Sequence, residues 1–286
     1  MMKPLNETSL IICGIVRDAE SGLRHNIPVI DALCRQVNDY HIYIYENDSR
    51  DRTKELLSRW RQAAPANIHI SLNDTDASPT TPRVGEVTGD PTNSRRRIAK
   101  MAALRNRYME YIDSQDWKAD YIVVVDMDVA QLFIDGIVGT LLSDIAWDAV
   151  TANGYSMTRP FIRRYDDTYA LTLWGDGSPQ TKAKMKKAGY ALGRLKASDP
   201  WMRIASGFGG LAIYRYEAMK GLRYYADDNA DLVVEVKCEH YSIYRQMTAR
   251  GYNKFYLNPA MKLKYRNLSL RMVCDSIKRR VNKILK

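Results

Sequence analysis

Cysteine and histidine are both scarce, four of each in 286 residues. Cys13, Cys34, Cys238 and Cys274 are scattered and form no CxxC pair, which argues against a disulfide-stapled scaffold or a zinc ribbon and predicts reduced thiols in a cytoplasmic setting. No apolar run reaches the length of a bilayer span. Met1-Met2-Lys3-Pro4 leads directly into the apolar stretch Ser9 to Val16, which further strand and helix signals follow, so it reads as a first core strand and not as a cleaved leader. The glycines show neither the GxGxxG nor the GxxxxGK[ST] spacing, which excludes a dinucleotide fingerprint and a P-loop. Internal repeats, low-complexity tracts and a clean linker are absent too, so one catalytic-sized domain is expected over residues 1–265. Positive charge is in excess: 43 Lys and Arg against 33 Asp and Glu give a formal charge of +10 and a pI near 9.3. That balance calls for an anionic partner, whether nucleic acid, a membrane surface or a phosphorylated substrate.

The stretch Tyr121-Ile122-Val123-Val124-Val125 is a strand to be buried on both faces, and it ends abruptly in Asp126-Met127-Asp128. In an open α/β sheet, ligands bind beyond the carboxyl ends of the strands, so acids there line the rim of a crevice. Alternation sends Asp126 and Asp128 to one side, where two carboxylates can hold a hard divalent cation and leave positions open for phosphate oxygens. The bland alternative is a helix cap beside a solvated acid, since such triplets also arise by chance. Earlier in the chain, Leu10 to Val16 reads as a strand ending in Arg17-Asp18, and Ile27 to Val37 as a helix. His41 to Tyr45 reads as a strand ending in Glu46-Asn47-Asp48-Ser49, Asp51 to Ala63 as a helix and Asn67 to Leu72 as a strand. These strand ends share one edge, which places Arg17 at the same rim as the acids.

Asn73 to Asn93, rich in Asp, Thr, Pro and Gly, reads as a long surface loop, either a flap beside the crevice or a tolerated insertion. Ser94 is positioned to cap the helix that follows, whose inward stripe of Ile98, Met101, Ala102, Met109 and Ile112 includes Arg105. That arginine needs an anionic partner, supplied by a structural ion pair or by a diphosphate. Leu132 to Ile145 reads as a helix, Asp148 to Ala152 as a strand, Asn153-Gly154 as a turn, and Gly175 to Leu195 as irregular and basic. Ser206-Gly207-Phe208-Gly209-Gly210 precedes a strand, and its small residues, Gly209 and Gly210 among them, allow backbone to approach a ligand closely. A helix from Ser242 to Arg250 stops at Gly251. At the C-terminus, residues 266–286 carry an apolar stripe from Leu270 to Leu285 with six basic residues against Asp275, a basic amphipathic helix that either packs on the domain or lies on an anionic membrane.

These pieces resemble the GT-A glycosyltransferases, an α/β class with a Rossmann-like mixed sheet flanked by helices. More narrowly, the blocks Ile42 to Asp51, Val124-Val125-Asp126-Met127-Asp128, Ser206 to Leu211 and Cys238-Glu239-His240 are similar to the fungal capsule-type α-1,3-mannosyltransferase family, and together they span most of the chain. The resemblance implies a metal-dependent transferase that moves a hexosyl or deoxyhexosyl group from a UDP- or GDP-sugar to a hydroxyl of a glycan, lipid-linked saccharide or lipopolysaccharide, with retention of configuration. In that scheme Asp128 holds Mn²⁺ or Mg²⁺, with Asp126 assisting or binding the ribose of the nucleotide sugar and His240 completing the coordination. Glu46 and Asn47 contact the nucleoside, and Arg17 and Arg105 lie near the phosphates. Should a general base be required, Glu239 and Asp166 are the candidates. The rival reading is a non-catalytic binder of nucleic acid or of an anionic surface. It rests on net charge and on Lys182 to Lys187 alone, without an RRM, KH or helix-turn-helix signature, so nucleic acid is not expected as a partner.

Overall fold

A computed structural model describes residues 3–74, 94–159, 162–228 and 236–267. The expected long loop after Asn73 and the C-terminal basic helix fall almost wholly outside the described residues. The elements in chain order are β1 (Ser9–Val16), α1 (Glu20–Cys34), β2 (Asp39–Asn47), α2 (Thr53–Ala63), β3 (Ile68–Asn73), α3 (Arg95–Asp113), β4 (Tyr121–Val125), β5 (Gln131–Leu132) and α4 (Ile134–Leu141). They continue with β6 (Ala149–Arg159), β7 (Ile162–Tyr165), β8 (Thr172–Leu173), α5 (Lys182–Leu192), β9 (Met202–Ser206), β10 (Leu211–Arg215), α6 (Tyr216–Met219), α7 (Glu239–Ala249) and β11 (Phe255–Arg266). Among the described residues no helix is long and apolar enough to cross a membrane.

The strands form one mixed sheet in the order β3-β2-β1-β4-β10-β6-β11-β9-β8, with β5 added to β11 and β7 to β6. The first four are parallel, and β10 runs antiparallel between β4 and β6. This is the helix-flanked mixed α/β sheet expected from the sequence. Alternation along the central strands divides the core between the two faces. Ile11, Cys13 and Val124 join one cluster with Ala102, Met109 and Ile243, while Leu10, Ile12, Val123 and Val125 join the other with Leu23, Ile30 and Ile137. Because β2 and β4 flank β1 on opposite sides, the chain reverses direction of winding between β1 and β4, which opens a crevice beyond their carboxyl ends.

Two of the expected irregular segments are ordered. Gly154 lies within β6 and not in a turn, where a Cβ would sit 2.1 Å from the Gly209 carbonyl oxygen. The Lys-rich stretch after Gly175 contains α5, capped by the Thr181 hydroxyl, which accepts from the Lys184 amide. Ser94 caps α3 as its position suggested, accepting from the Arg97 amide.

The loop carrying the two acids is held by α1. Asn26 is fully buried, and its Nδ2 donates to the carbonyls of Met127 (3.1 Å) and Val129 (2.8 Å) while its Oδ1 accepts from the Leu132 amide (2.9 Å). One turn earlier, Gly22 presents bare backbone, since a Cβ there would lie 2.5 Å from the Met127 oxygen. Asn26→Ala leaves these buried backbone groups without partners, at a cost of about 1–3 kcal/mol for each group not reached by water. A fall in Tm of several degrees is expected in thermal melts, and a melt within one degree of the parent would show that the clamp is dispensable.

Candidate active site

The crevice holds two adjoining cavities. The larger, about 490 Å³, is lined by Arg17 and Asp18 from the end of β1, by Asn47 from β2, by Asp126 and Asp128 after β4, and by Arg97, Lys100, Met101, Leu104 and Arg105 from α3. The smaller, about 330 Å³, shares Arg97, Met101, Arg105 and Asp126 and adds Asp166, Asp167, Tyr169, Phe208, Cys238, Glu239, His240, Tyr265 and Arg266 among its walls. Arg17, Asn47, Arg105, Asp126 and Asp128 therefore line one cavity.

Two interlocked turns shape the floor. Asp18 and Asp48 both adopt positive φ, 48° and 57°, which Asp tolerates better than most residues. The Asp18 amide donates to Ser49 Oγ, and its Oδ1 accepts from the Arg50 amide at 2.7 Å. Glu46 takes part in this turn and does not line either cavity: it is fully buried, and its Oε1 accepts from the Ser49 amide at 2.7 Å. Its neighbour Asn47 alone reaches the larger cavity, because alternation along β2 turns successive side chains apart.

Arg105 sits between the cavities, only 3% exposed. Its Nε donates to Glu239 Oε1 at 3.0 Å, its Nη2 approaches Asp126 Oδ1 at 3.5 Å, and its Nη1 is buried without a hydrogen-bond partner. The guanidinium lies 4.8 Å from the centroid of the Phe208 ring, a cation–π distance. The other oxygen of Glu239 faces the Cys238 thiol at 3.3 Å, so both oxygens are already engaged.

Carboxylates crowd this region. Burial, reinforced by Asp128, Asp167 and Glu239 and only partly offset by Arg105, pushes the Asp126 carboxyl up to about 7. Asp128 is solvent-exposed at the cavity wall but has protein packed closely around it, and that burial raises its carboxyl as well. Two carboxylates raised by burial, Asp126 also by the charge of Asp128, fit a hard divalent cation. Among the described residues no three side chains of the His, Cys, Asp and Glu types are gathered to enclose an ion, so the protein offers an open two-carboxylate seat to which His240 is not brought.

His240 lies instead at the start of α7, 1% exposed, stacked 3.9 Å from Phe208, with Tyr224 edge-on at 5.5 Å. Neither ring nitrogen has a hydrogen-bond partner, and burial, followed by the charge of Arg105, holds its pKa well below the ordinary value. Asp167, which the sequence left as the companion of Asp166, accepts from the Gly209 amide at 3.0 Å and from the Ala170 amide. Burial first, then the charge of Glu239, pushes its carboxyl up to about 6. Gly209 and Gly210 have φ of 67° and 84° and serve the chain itself. A Cβ on Gly209 would fall 2.1 Å from the Ala152 oxygen, one on Gly210 would meet the Tyr265 ring at 3.0 Å, and the Gly210 carbonyl accepts from the Asp126 amide. Arg97 and Lys100 went unnoticed in the sequence; with Met101 and Leu104 they form the face of α3 that lines the cavity next to Arg105.

Strand-end acids and arginines meet in one crevice, and a family comparison sets the chain among the glycosyltransferases. Within them it belongs to the family described as cryptococcal mannosyltransferase 1, whose model matches residues 11–246. No curated protein matches the sequence. Solved structures similar to this one include the mannosyltransferase PcManGT from Pyrobaculum calidifontis in complex with GDP-Man and Mn²⁺, at 14% identity and a TM-score of 0.49, covering 94% of this chain and 60% of that one. TarS residues 1–349 of S. aureus in complex with UDP-GlcNAc are 10% identical with a TM-score of 0.47, covering 91% and 60%. Glucosyl-3-phosphoglycerate synthase of Mycobacterium tuberculosis in complex with phosphoglyceric acid is 13% identical with a TM-score of 0.44, covering 92% and 74%. The chain thus spans three fifths of the length of the first two.

The crowding of Asp126 carries a pH signature. A carboxyl raised in the folded state disfavours folding progressively as pH climbs from its unfolded value near 3.8 to about 7, and by a constant amount above that. Asp126→Asn removes this penalty. In metal-free buffer its Tm is expected to exceed that of the parent by an amount that grows between pH 4 and pH 7 and then levels off, while a variant that is less stable at pH 8 would show that the ion pair with Arg105 outweighs the crowding.

Proposed function

We propose that this protein transfers a hexosyl or deoxyhexosyl group from a UDP- or GDP-sugar to a hydroxyl of a glycan or of a lipid-linked saccharide or lipopolysaccharide. The observation that supports this reading most directly is the larger cavity, where Asp126 and Asp128 at the end of β4 face Arg97, Lys100 and Arg105 of α3. A nucleoside diphosphate matches that polarity when its phosphates lie between the basic helix face and a cation seated on the acids. The nucleoside then extends toward Asn47 and Asp18, while Arg17 reaches the phosphates from the end of β1.

The reaction joins an acceptor oxygen to the sugar's anomeric carbon as the bond from that carbon to the diphosphate breaks. The electron pair leaves on the departing phosphate oxygen, and under retention that same oxygen receives the hydroxyl proton. The protein's contribution is chiefly electrostatic, because fixed positive groups stabilise the growing charge on the leaving group more than they stabilise the intact donor. A divalent cation, Mn²⁺ or Mg²⁺, held by Asp128 and Asp126 would add positive charge at that oxygen. Glu239 fixes the plane of the Arg105 guanidinium, which stands in the wall of the larger cavity. We assign Glu239 to that anchoring role and not to proton transfer, since both its oxygens are committed. Asp166 faces the smaller cavity and stays available should an inverting route operate.

The test is a screen of GDP- and UDP-sugars, with and without Mn²⁺, by thermal shift and by product formation on saccharide acceptors. One donor is expected to raise Tm only when the cation is present, and EDTA is expected to stop turnover. Asp128→Ala is expected to lower transfer by about a hundredfold or more, the scale at which a preorganised charge-stabilising group contributes, with its melting curve preserved. Undiminished turnover in EDTA would refute the metal-assisted mechanism, and the absence of any donor effect would refute the donor assignment.

A further inference from the structure

Phe208, Gly209 and Gly210 form a turn between β9 and β10 that meets the site on two sides. On one side the Phe208 ring, buried in the core, lies 4.8 Å from the Arg105 guanidinium and is stacked 3.9 Å from His240. On the other, the Gly210 carbonyl accepts from the Asp126 amide at 2.9 Å, one residue beyond the last pairing of β4 with β10. Both partners of the Arg105 and Asp126 ion pair therefore touch this one turn. Gly209 and Gly210 have φ of 67° and 84°, neither has a side chain to anchor it, and glycine loses more conformational freedom on ordering than any other residue. The midpoint of the turn is tied by Asp167, whose Oδ2 accepts from the Gly209 amide at 3.0 Å and whose carboxylate also accepts from the Ala170 amide.

We infer that Asp167 is a positioning residue for the donor site: by holding the Gly209 amide it fixes the turn that presents the Gly210 carbonyl to Asp126 and the Phe208 ring to Arg105. The assignment rests on the donor reading above, in which Asp126 and Arg105 serve the cation and the diphosphate. A carboxylate suits the task, because it offers an oxygen to each of two amides and charged acceptors form the stronger hydrogen bonds. Functional groups of this kind must be held within about 0.5 Å of their working geometry, so a turn free to drift would misplace the acid and the arginine together. The charge of Asp167 also reaches Asp126 directly through space. An asparagine at the same position separates the two effects, since it lacks the charge and keeps an oxygen for the Gly209 amide.

The experiment uses the full chain. In metal-free buffer, amide hydrogen exchange followed by NMR compares the Asp126 amide with that of Val123 inside β4. Mn²⁺ affinity is then measured by electron paramagnetic resonance with GDP or UDP present, well below Tm, so that only folded protein is read. In Asp167→Ala the Asp126 amide is expected to exchange about tenfold faster or more, while Val123 stays within about twofold of the parent. Mn²⁺ is expected to bind that variant about ten- to a hundredfold more weakly, the range found when a group that orients metal ligands is lost. Asp167→Asn is expected to recover most of both. A role confined to folding would lower Tm and leave the affinity of the folded fraction unchanged. The inference is overturned if the alanine variant matches the parent in Asp126 exchange and Mn²⁺ affinity, or if the asparagine variant is as impaired as the alanine one, which would assign the effect to charge. Should the alanine variant fail to fold, the asparagine variant decides alone, and a loss of about tenfold or more in it overturns the inference. A parent that binds neither Mn²⁺ nor nucleotide refutes the donor reading, and the exchange measurement, made without either, still decides whether Asp167 holds the turn.

Discussion

The site depends on one buried cation. Arg105 joins α3 to the loop after β4 through Asp126 and to the first turn of α7 through Glu239, and its flat guanidinium rests near Phe208 in the turn before β10. Removing Arg105 itself leaves the buried Glu239 and the crowded Asp126 without their shared cation, which costs about 3–5 kcal/mol in comparable settings. The same arginine forms part of the wall between two cavities, so the position of α3 sets how they lie relative to each other.

Much of the architecture was legible because the central strands are continuous apolar runs cut off sharply by polar residues. Leu10 to Val16, His41 to Tyr45 and Tyr121 to Val125 each end where the sheet ends, and parallel pairing places those ends side by side. The sequence was less informative beyond β6, where pairing partners lie far apart along the chain. Gly154 resembled a turn residue because glycine is common in turns, but here it is needed because two backbones meet, its absent Cβ making room for Gly209. A similar close approach explains Gly209 itself, where a Cβ would meet the Ala152 oxygen and whose amide donates a hydrogen bond to Asp167.

Within the site, residue type was easier to read than side-chain direction. Asp126, Asp128, Arg17 and Asn47 follow from strand ends, and the inward stripe of α3 revealed Arg105 and its need for an anion. Glu46 and His240 do not line the larger cavity as the sequence suggested: one is turned into the turn after β2 by the Ser49 amide, the other stacked on Phe208. Which acid of the Asp166-Asp167 pair would be held by backbone amides depends on a contact 42 residues away, and no local pattern encodes it. Asn26 was likewise invisible, a polar residue inside an apolar stripe whose partners are backbone atoms about a hundred positions further on.

The way Asn26 grips the acidic loop has a consequence for how this site can change over evolutionary time. All three of its hydrogen bonds go to main-chain atoms, and Gly22 packs against main chain as well, so the curve of residues 127 to 132 is dictated by α1 and not by the side chains the loop carries. Scaffold and side chains are thereby uncoupled: the residues the loop carries can be exchanged while the platform that presents them keeps its shape. Conversely, a substitution on the inner face of α1 can silence the site without altering any residue that meets a substrate.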